Sequence, residues 1–278
     1  MKFSIAAISA LILSSAISFT TADSYSDAIK AWCGLKVTAP TASTVVVAGQ
    51  KTKITVTRKA SDKHTKTITG LDLYSVSSTG KASYVQNVWK GSYALKKSAS
   101  ITDTVPKNIP AGLYYYRVWI TNMIDGQHGP DCLETSHTFK VTTSSHTNAA
   151  GETEYAEYLH DDSIYPENHY NGCFGLNVDY PSAGSTFNTN EHVLIQLNRD
   201  SASQTGEVTK VELYKGDKLV NTVWQGSELF QSSFNLKDHL ALNNVDPNAE
   251  YHYKIYTTST TGDNTCTFKS NSFKIQQS

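Results

Sequence analysis

The chain has 278 residues, with 24 Lys and Arg against 25 Asp and Glu and a formal net charge of −1. This near balance provides no field that would attract nucleic acid or an anionic membrane, so those partners are not expected. The length suits either one large domain or two domains of ordinary size.

Residues 1–22 are predicted to be a signal peptide. Lys2 precedes an apolar stretch that is interrupted by serines and then gives way to polar sequence, which is the pattern of a secretory leader. Small residues allow cleavage after Ala16 or after Ala22, and we favour Ala22. A membrane anchor would need about 20 strongly apolar residues. The sequence therefore predicts an extracellular protein that is not inserted in a membrane.

A first β-sandwich domain is predicted over residues 31–142. Its segments of alternating apolar and polar residues are short, rich in Val, Ile, Thr and Tyr, and separated by Gly, Asn, Asp, Ser and Pro, as strands and turns are. Strands are expected at residues 54–58, 71–74, 88–92 and 114–119. About seven such strands, each with one apolar face, describe two sheets packed face to face.

Residues 143–172 are predicted to be a linker of unusual composition. The segment lacks Lys and Arg, and its acidic and tyrosine residues are Glu152, Glu154, Glu157, Asp161, Asp162, Glu167, Tyr155, Tyr158, Tyr165 and Tyr170. Because pure spacers favour Gly, Ser and Pro, this linker could lie against a domain surface through its tyrosines or contact a basic partner. A solvated linker extended by charge repulsion is the favoured interpretation.

The second domain, residues 173–278, repeats the first in collinear order. The clearest matches pair residues 88–92 (VWKGS) with 223–227 (VWQGS), and residues 114–119 with 251–256. A tandem duplication explains this agreement. The predicted fold is therefore all-β, with two tandem immunoglobulin- or fibronectin-III-like β-sandwich domains joined by an acidic linker.

The four cysteines are expected to form disulfides, because secreted chains fold in an oxidising environment. Three pairings are possible, and the duplication favours one bridge inside each copy, Cys33 with Cys132 and Cys173 with Cys266. A redox pair would need closely spaced cysteines, and these are far apart. Each bridge would close a long loop, which the entropic model values at on the order of 4 kcal/mol.

Four aromatic residues are candidate ligand contacts, since exposed rings can stack on sugars. These are Trp32, Trp89, Tyr115 and Trp224. Trp89 and Trp224 each follow a Val in an alternating strand, and burial is the favoured interpretation of both. Trp32 is expected to be an exposed contact or a cap on the sandwich edge. Tyr115 is expected to be exposed if the tyrosines on either side of it face the core.

The linker also contains the one cluster with metal-ligand residue types. Its candidate ligands are His160, Asp162 and His169, since imidazoles and carboxylates hold divalent ions. Their spacing fits no helix-face or hairpin pattern, so neither a metal nor another cofactor is expected. Asp72 and Glu212 stand at equivalent places in the two copies, which indicates a solvated strand face rather than a glycosidase pair. No Gly-x-Ser-x-Gly elbow is present.

Residues 108–115 (NIPAGLYY), together with residues 37–40 (VTAP) and 48–50 (AGQ), resemble the Kre9/Knh1-type immunoglobulin-like domain of fungal secreted proteins. The likeness covers most of residues 33–142 and, more faintly, residues 173–275. The resemblance implies an association with cell-wall β-glucan assembly, and it supplies no catalytic residue.

The sequence thus favours a secreted, non-catalytic binding protein that acts at the fungal cell wall or a host surface. Its expected partner is a cell-wall polysaccharide or a surface protein. A duplicated domain suits binding, because two linked weak sites gain avidity. The alternatives are a secreted effector or inhibitor that binds a host protein, and an enzyme that acts on polysaccharide.

Overall fold

The computed structural model describes residues 32–59, 64–129, 131–229, 232–243, 245–261 and 264–277. The predicted signal peptide lies outside this part of the chain. Nearly all regular structure in the described ranges is β-strand. No helix in those ranges is long and apolar enough to cross a membrane.

Domain 1 is a sandwich of two sheets. Its strands are β1 (Leu35–Ala39), β2 (Val45–Val47), β3 (Lys51–Arg58), β4 (Thr65–Val76), β5 (Ala82–Ala94), β6 (Ser98–Thr104), β7 (Gly112–Ile124), β8 (Gln127–His128), β9 (Cys132–Thr135) and β10 (Phe139–Thr142). One sheet has the order β1-β3-β6, and the other has the order β2-β10-β7-β4-β5, with β8 and β9 also paired to β7.

The predicted linker forms regular structure of its own. Strands β11 (Ser145–Thr147) and β12 (Thr153–Tyr155) make an antiparallel hairpin, and the single turn α1 (Glu167–Tyr170) follows. Both strands of the hairpin are largely exposed.

Domain 2 repeats the strand order of domain 1. Its strands are β13 (Leu176–Tyr180), β14 (Thr186–Asn188), β15 (His192–Arg199), β16 (Thr205–Lys215), β17 (Lys218–Leu229), β18 (Ser233–His239), β19 (Tyr251–Ser259), β20 (Thr265–Lys269) and β21 (Lys274–Gln276). They pair as β13-β15-β18, β17-β16-β19-β20 and β14-β21. A bridge between Tyr251 and Phe273 connects β21 to β19. The fold is therefore two tandem immunoglobulin- or fibronectin-III-like β-sandwiches.

Strand alternation builds the same core in each domain. In β3 and β15 every second residue is buried, with Ile54 and Val56 in one copy and Ile195 and Leu197 in the other. Side chains of successive strand residues point to opposite faces, so one face of each sheet is apolar. These inward faces form two separate hydrophobic clusters, one in each sandwich.

A buried tyrosine–carboxylate pair recurs at the same place in both cores. The Tyr116 hydroxyl donates to Asp103 Oδ2 at 2.8 Å, and the Tyr253 hydroxyl donates to Asp238 Oδ2 at 2.9 Å. Burial raises the pKa of both carboxyl groups, and the hydrogen bond from each tyrosine opposes that rise. The pair links β6 to β7 and β18 to β19, so it holds the two sheets of each sandwich together.

One disulfide lies inside each domain. Cys33 is bonded to Cys132, with Cα atoms 5.7 Å apart, and Cys173 is bonded to Cys266, with Cα atoms 5.2 Å apart. Each bridge joins the segment that precedes the first strand of its domain to β9 in domain 1 or to β20 in domain 2. This is the pairing that the duplication favours.

Candidate functional site

The tryptophans of the repeated VWxGS motif serve packing in both domains. Trp89 and Trp224 are half-buried against the two cores. A Cβ atom added to Gly91 would lie 2.6 Å from Trp89 Cζ2, and one added to Gly226 would lie 2.7 Å from the matching atom of Trp224. The indole therefore covers the glycine two residues later, and any larger side chain there would displace it. Close packing explains the motif.

Trp32 caps the edge of domain 1 next to the disulfide. Its half-buried ring packs against the core, and its centroid lies 4.5 Å from that of His64. Its backbone carbonyl accepts a hydrogen bond from Nζ of the fully buried Lys66 at 2.6 Å. Of the two predicted roles, the cap fits this environment.

The prediction that Tyr115 is exposed is wrong. Tyr114 and Tyr116 face the core as expected, but Tyr115 is 0% exposed as well. Its hydroxyl donates to the carbonyl oxygen of Ala202 in domain 2 at 2.5 Å, and its ring centroid lies 5.6 Å from that of Phe174. Strand alternation does turn Tyr115 away from the core of domain 1. The second domain covers that outward position.

A buried glutamine completes the contact between the domains. Gln204 is 0% exposed, and its side-chain amide donates to the carbonyl oxygen of Ser136 at 2.7 Å. Its Oε1 atom accepts a hydrogen bond from the Thr138 hydroxyl at 3.0 Å. Because both partners belong to domain 1 and are also buried, the two sandwiches share a polar contact as well as an apolar one.

The favoured interpretation of a solvated linker is also wrong. Tyr165 is 1% exposed, and its hydroxyl donates to the Val141 carbonyl oxygen at 3.0 Å. Lys140 of β10 donates to the Leu159 carbonyl oxygen at 2.5 Å, and its Nζ lies 4.7 Å from the centroid of the Tyr170 ring. Burial lowers the pKa of Lys140, while the nearby linker carboxylate opposes that change. The linker lies against domain 1 through its tyrosines, which was the alternative.

The candidate metal ligands do not form a common site. His160 is exposed, and its ring meets the ring of Tyr158 edge to face. Asp162 is exposed near Lys140, and His169 packs beside Phe174. Within the residues that the structure describes, no group of three or more His, Cys, Asp or Glu side chains could hold a metal ion.

The outer face of domain 1 carries a row of rings and polar groups, of which the sequence analysis named only Asp72. We define this outer face by Asp72, Tyr74, Tyr84, Asn87, Arg117 and Trp119, on strands β4, β5 and β7. Tyr84 is 57% exposed and Trp119 is 39% exposed. The Tyr74 ring meets the Tyr84 ring edge to face at 5.7 Å, and Arg117 Cζ lies 5.0 Å from the Tyr74 centroid and 5.5 Å from the Trp119 ring.

Hydrogen bonds fix the side chains of this outer face. Trp119 Nε1 donates to Asp72 Oδ2 at 2.7 Å, and Asn87 Nδ2 donates to Asp72 Oδ1 at 2.7 Å. Arg117 Nη1 donates to the Tyr74 hydroxyl at 3.1 Å. These bonds hold Trp119 and Tyr74 in place before any ligand arrives, and both Trp119 and Tyr84 remain partly exposed to solvent. The sequence pattern indicates that Trp119 faces outward, because it lies between the inward residues Val118 and Ile120 of β7.

On the matching face of domain 2, as on domain 1, cationic groups lie over the aromatic rings. Lys254 Nζ lies 4.0 Å from the Tyr214 ring centroid, and Lys210 Nζ lies 4.3 Å from that of Tyr256. Glu212 is only 5% exposed and pairs with Lys210 at 2.8 Å, so the prediction of a solvated Glu212 is wrong. Burial raises the pKa of Glu212, but hydrogen bonds from Lys210 and two tyrosine hydroxyls outweigh it and lower the pKa. Asp72, at the equivalent position of domain 1, is more exposed than Glu212, since it is only partly buried.

No family model matches the chain, and no curated protein matches it. Among solved structures the chain is similar to fibronectin(III)-like modules of Clostridium thermocellum CbhA, with 12% identity, 87% of this chain and 94% of that chain covered, and a TM-score of 0.23. It is also similar to native E. coli alpha-2-macroglobulin, with 10% identity, 83% of this chain and 13% of that chain covered, and a TM-score of 0.26. At these TM-scores the matches carry no argument about function.

Proposed function

We propose that the protein is a secreted, non-catalytic binding protein that holds a cell-wall polysaccharide on the outer face of domain 1. The observation that carries this proposal is the pair of exposed rings, Trp119 and Tyr84, on one sheet face with fixed polar groups between them. Aromatic rings with a polar edge suit a surface that is apolar in its middle and wet at its rim.

The chemistry of a sugar chain matches this arrangement. Each sugar ring has a C–H surface that can lie on an aromatic ring, and hydroxyl groups around its edge that need hydrogen-bond partners. Asp72 accepts hydrogen bonds, while Asn87 and Arg117 donate them. Because neighbouring side chains hold these groups in position, little conformational entropy is lost on binding.

The location of the partner is inferred from the sequence. The predicted signal peptide directs the chain out of the cell, and the two disulfides are compatible with an extracellular location. The resemblance to the Kre9/Knh1-type domain favours the fungal cell wall as the site of action. A host surface that displays similar glycans would satisfy the same chemistry.

A depletion assay on insoluble β-glucan, chitin and whole cells tests this function. We expect Trp119→Ala to weaken polymer binding by more than about tenfold, since a hot-spot tryptophan contributes about 2 kcal/mol or more and tenfold corresponds to about 1.4 kcal/mol. Tyr93→Ala is the matched control: Tyr93 is 44% exposed in the same domain but lies opposite the core residue Ile68. Equal binding by the wild type and Trp119→Ala would contradict the proposal.

Two further outcomes separate the alternatives. A wild-type protein that binds whole cells but none of the purified polymers would favour a surface protein as the partner. Release of soluble sugars from the polymers, compared with and without a chelator, would favour an enzyme. Either result would replace the proposed function.

A further inference from the structure

A polar cleft of about 620 Å³ lies where domain 1, the linker and domain 2 meet. Its walls come from the β4–β5 turn of domain 1, from α1 of the linker, and from β13 and β20 of domain 2. This volume falls in the range of about 300–1,000 Å³ typical of small-ligand sites, which often lie between domains. None of the residues that define the outer face of domain 1 lines it.

The β4–β5 turn is seated closely against the other two walls. Gly80 has a φ of +78°, and a Cβ atom there would lie 3.1 Å from His169 Nε2 and 3.4 Å from Phe174 Cβ. A side chain at this position would be strained and would press on both neighbours. The glycine thus lets a turn of domain 1 meet the linker and the start of domain 2, which gives the cleft a defined shape.

Several polar side chains in the cleft have hydrogen-bonding capacity that the protein does not use. Asn168, Asn177 and Thr267 line the cleft and are exposed, and none of their side chains forms a hydrogen bond within the described part of the chain. The two amides offer both donors and acceptors, and the hydroxyl offers one of each. A ligand with many hydroxyl groups could satisfy them together.

The charges of the cleft cancel. Lys81 stands on the wall from domain 1 and Asp200 on the wall from domain 2. One Asp200 oxygen accepts the Ala202 backbone N–H at 2.9 Å, and no side-chain hydrogen bond to the other is present among the described residues. Burial lowers the pKa of His169, so its imidazole is neutral near pH 7. With one positive and one negative group, the cleft favours neither an anion nor a cation.

We propose that this interdomain cleft binds a short neutral saccharide, as a site separate from the outer face of domain 1. Phe268 lines the cleft next to Thr267 in the chain; it is half-buried against the core of domain 2, and its accessible part supplies an apolar surface. The opposite wall, with Lys81 and α1, supplies polar groups for the far edge of the sugar. Because both domains line the site, bound saccharide bridges them.

Calorimetric titration of the full mature protein with cellotriose, laminaritriose and chitotriose tests this site. We expect at least one trisaccharide to bind, and we expect the double variant Asn177→Ala, Thr267→Val to weaken it by about tenfold or more. Both residues are exposed, so the variant should fold, which circular dichroism checks. Absence of binding by all three sugars up to about 10 mM, or an unchanged affinity in the double variant, would overturn the proposal.

The variant Trp119→Ala separates this site from the proposed function. We expect it to bind the trisaccharide like the wild type while losing affinity for the insoluble polymer. Conversely, the double variant at Asn177 and Thr267 should keep its polymer binding. Loss of trisaccharide binding in Trp119→Ala would place the sugar on the outer face and overturn the cleft.

Discussion

Strand β7 of domain 1 and strand β19 of domain 2 hold the same place in their sandwiches, and their outward residues correspond one to one. Tyr115 and Trp119 of β7 stand where His252 and Tyr256 stand in β19. The inward tyrosines of both strands keep the same hydrogen bond to a buried aspartate. Duplication therefore preserved the core, whereas the outer faces diverged.

The two outer faces have different surroundings. On domain 1, Tyr115 contacts domain 2, and the remaining rings stay exposed. On domain 2, lysine ammonium groups lie over the equivalent tyrosines, and His252 is buried with its Nε2 atom unpaired within the described residues. The two faces thus differ at the positions of Tyr115 and Trp119, where domain 2 has His252 and Tyr256. Variants at matched positions can test this difference.

The largest expected effect comes from truncating the contact between the domains. We expect Tyr115→Ala to lower the free energy of unfolding of domain 1 by about 3–5 kcal/mol, because it leaves a cavity against Phe174 and removes a buried hydrogen bond. His252→Ala should cost less than half of that, since it also removes an unpaired buried nitrogen. Urea denaturation followed by fluorescence measures both, and equal losses would contradict the contrast.

A smaller effect is expected from the polar part of that contact. Gln204→Ala removes two buried hydrogen bonds and leaves the carbonyl oxygen of Ser136 and the hydroxyl of Thr138 without that partner, at about 1–3 kcal/mol. Because these bonds couple the domains, we expect the wild type to unfold in one calorimetric transition and the variant in a split or broader one. Gln225→Ala is the control, since Gln225 is exposed on β17. A sharp transition that is unchanged in Gln204→Ala would count against the coupling.

The smallest expected effect is on the pH dependence of the stability of domain 1, through Glu134. Glu134 lies opposite Val118 where Phe268 lies opposite Ile255 in domain 2. Burial raises the pKa of Glu134 to about 7, and the nearby Lys66 opposes this rise. Because its pKa is higher in the folded state, Glu134 binds its proton more tightly there than in the unfolded chain. This proton binding stabilises the fold fully below the unfolded pKa of 4.5, and the stabilisation is lost as pH rises towards 7.

Domain 1 should therefore lose stability between about pH 4.5 and 7 more steeply than domain 2 does. Glu134→Gln removes the titrating group, and we expect the variant to flatten the pH dependence of domain 1. Thermal unfolding measured at intervals across this range provides the test. A slope that Glu134→Gln leaves unchanged would show that another group is responsible.

The sequence predicted those features that depend on local pattern and on the repeat. Alternation marked the strands, and the duplication favoured the pairing of Cys33 with Cys132 that the structure contains. The environment of Tyr115 could not be predicted in this way, because a different domain covers it. The linker was misjudged for a similar reason: its carboxylates indicate solvation, but the contacts of Tyr165 and Lys140 are tertiary.

The outward position of Trp119 in the candidate site could have been predicted from the sequence. If Tyr114 faces the core, strict alternation along β7 turns Trp119 outward. The repeat indicated Trp89 and Trp224 as candidate ligand contacts instead, because they share a motif. That motif reflects the packing of an indole on a glycine, a requirement that both copies retain whether or not either binds a ligand.

Polymer depletion by variants at the matched pair Trp119 and Tyr256 tests the central claim most directly. If the diverged outer face of domain 1 holds polysaccharide, Trp119→Ala should weaken binding to β-glucan or chitin by more than about tenfold, while Tyr256→Ala should bind like the wild type. Equal losses in the two variants, or a loss confined to Tyr256→Ala, would contradict the account.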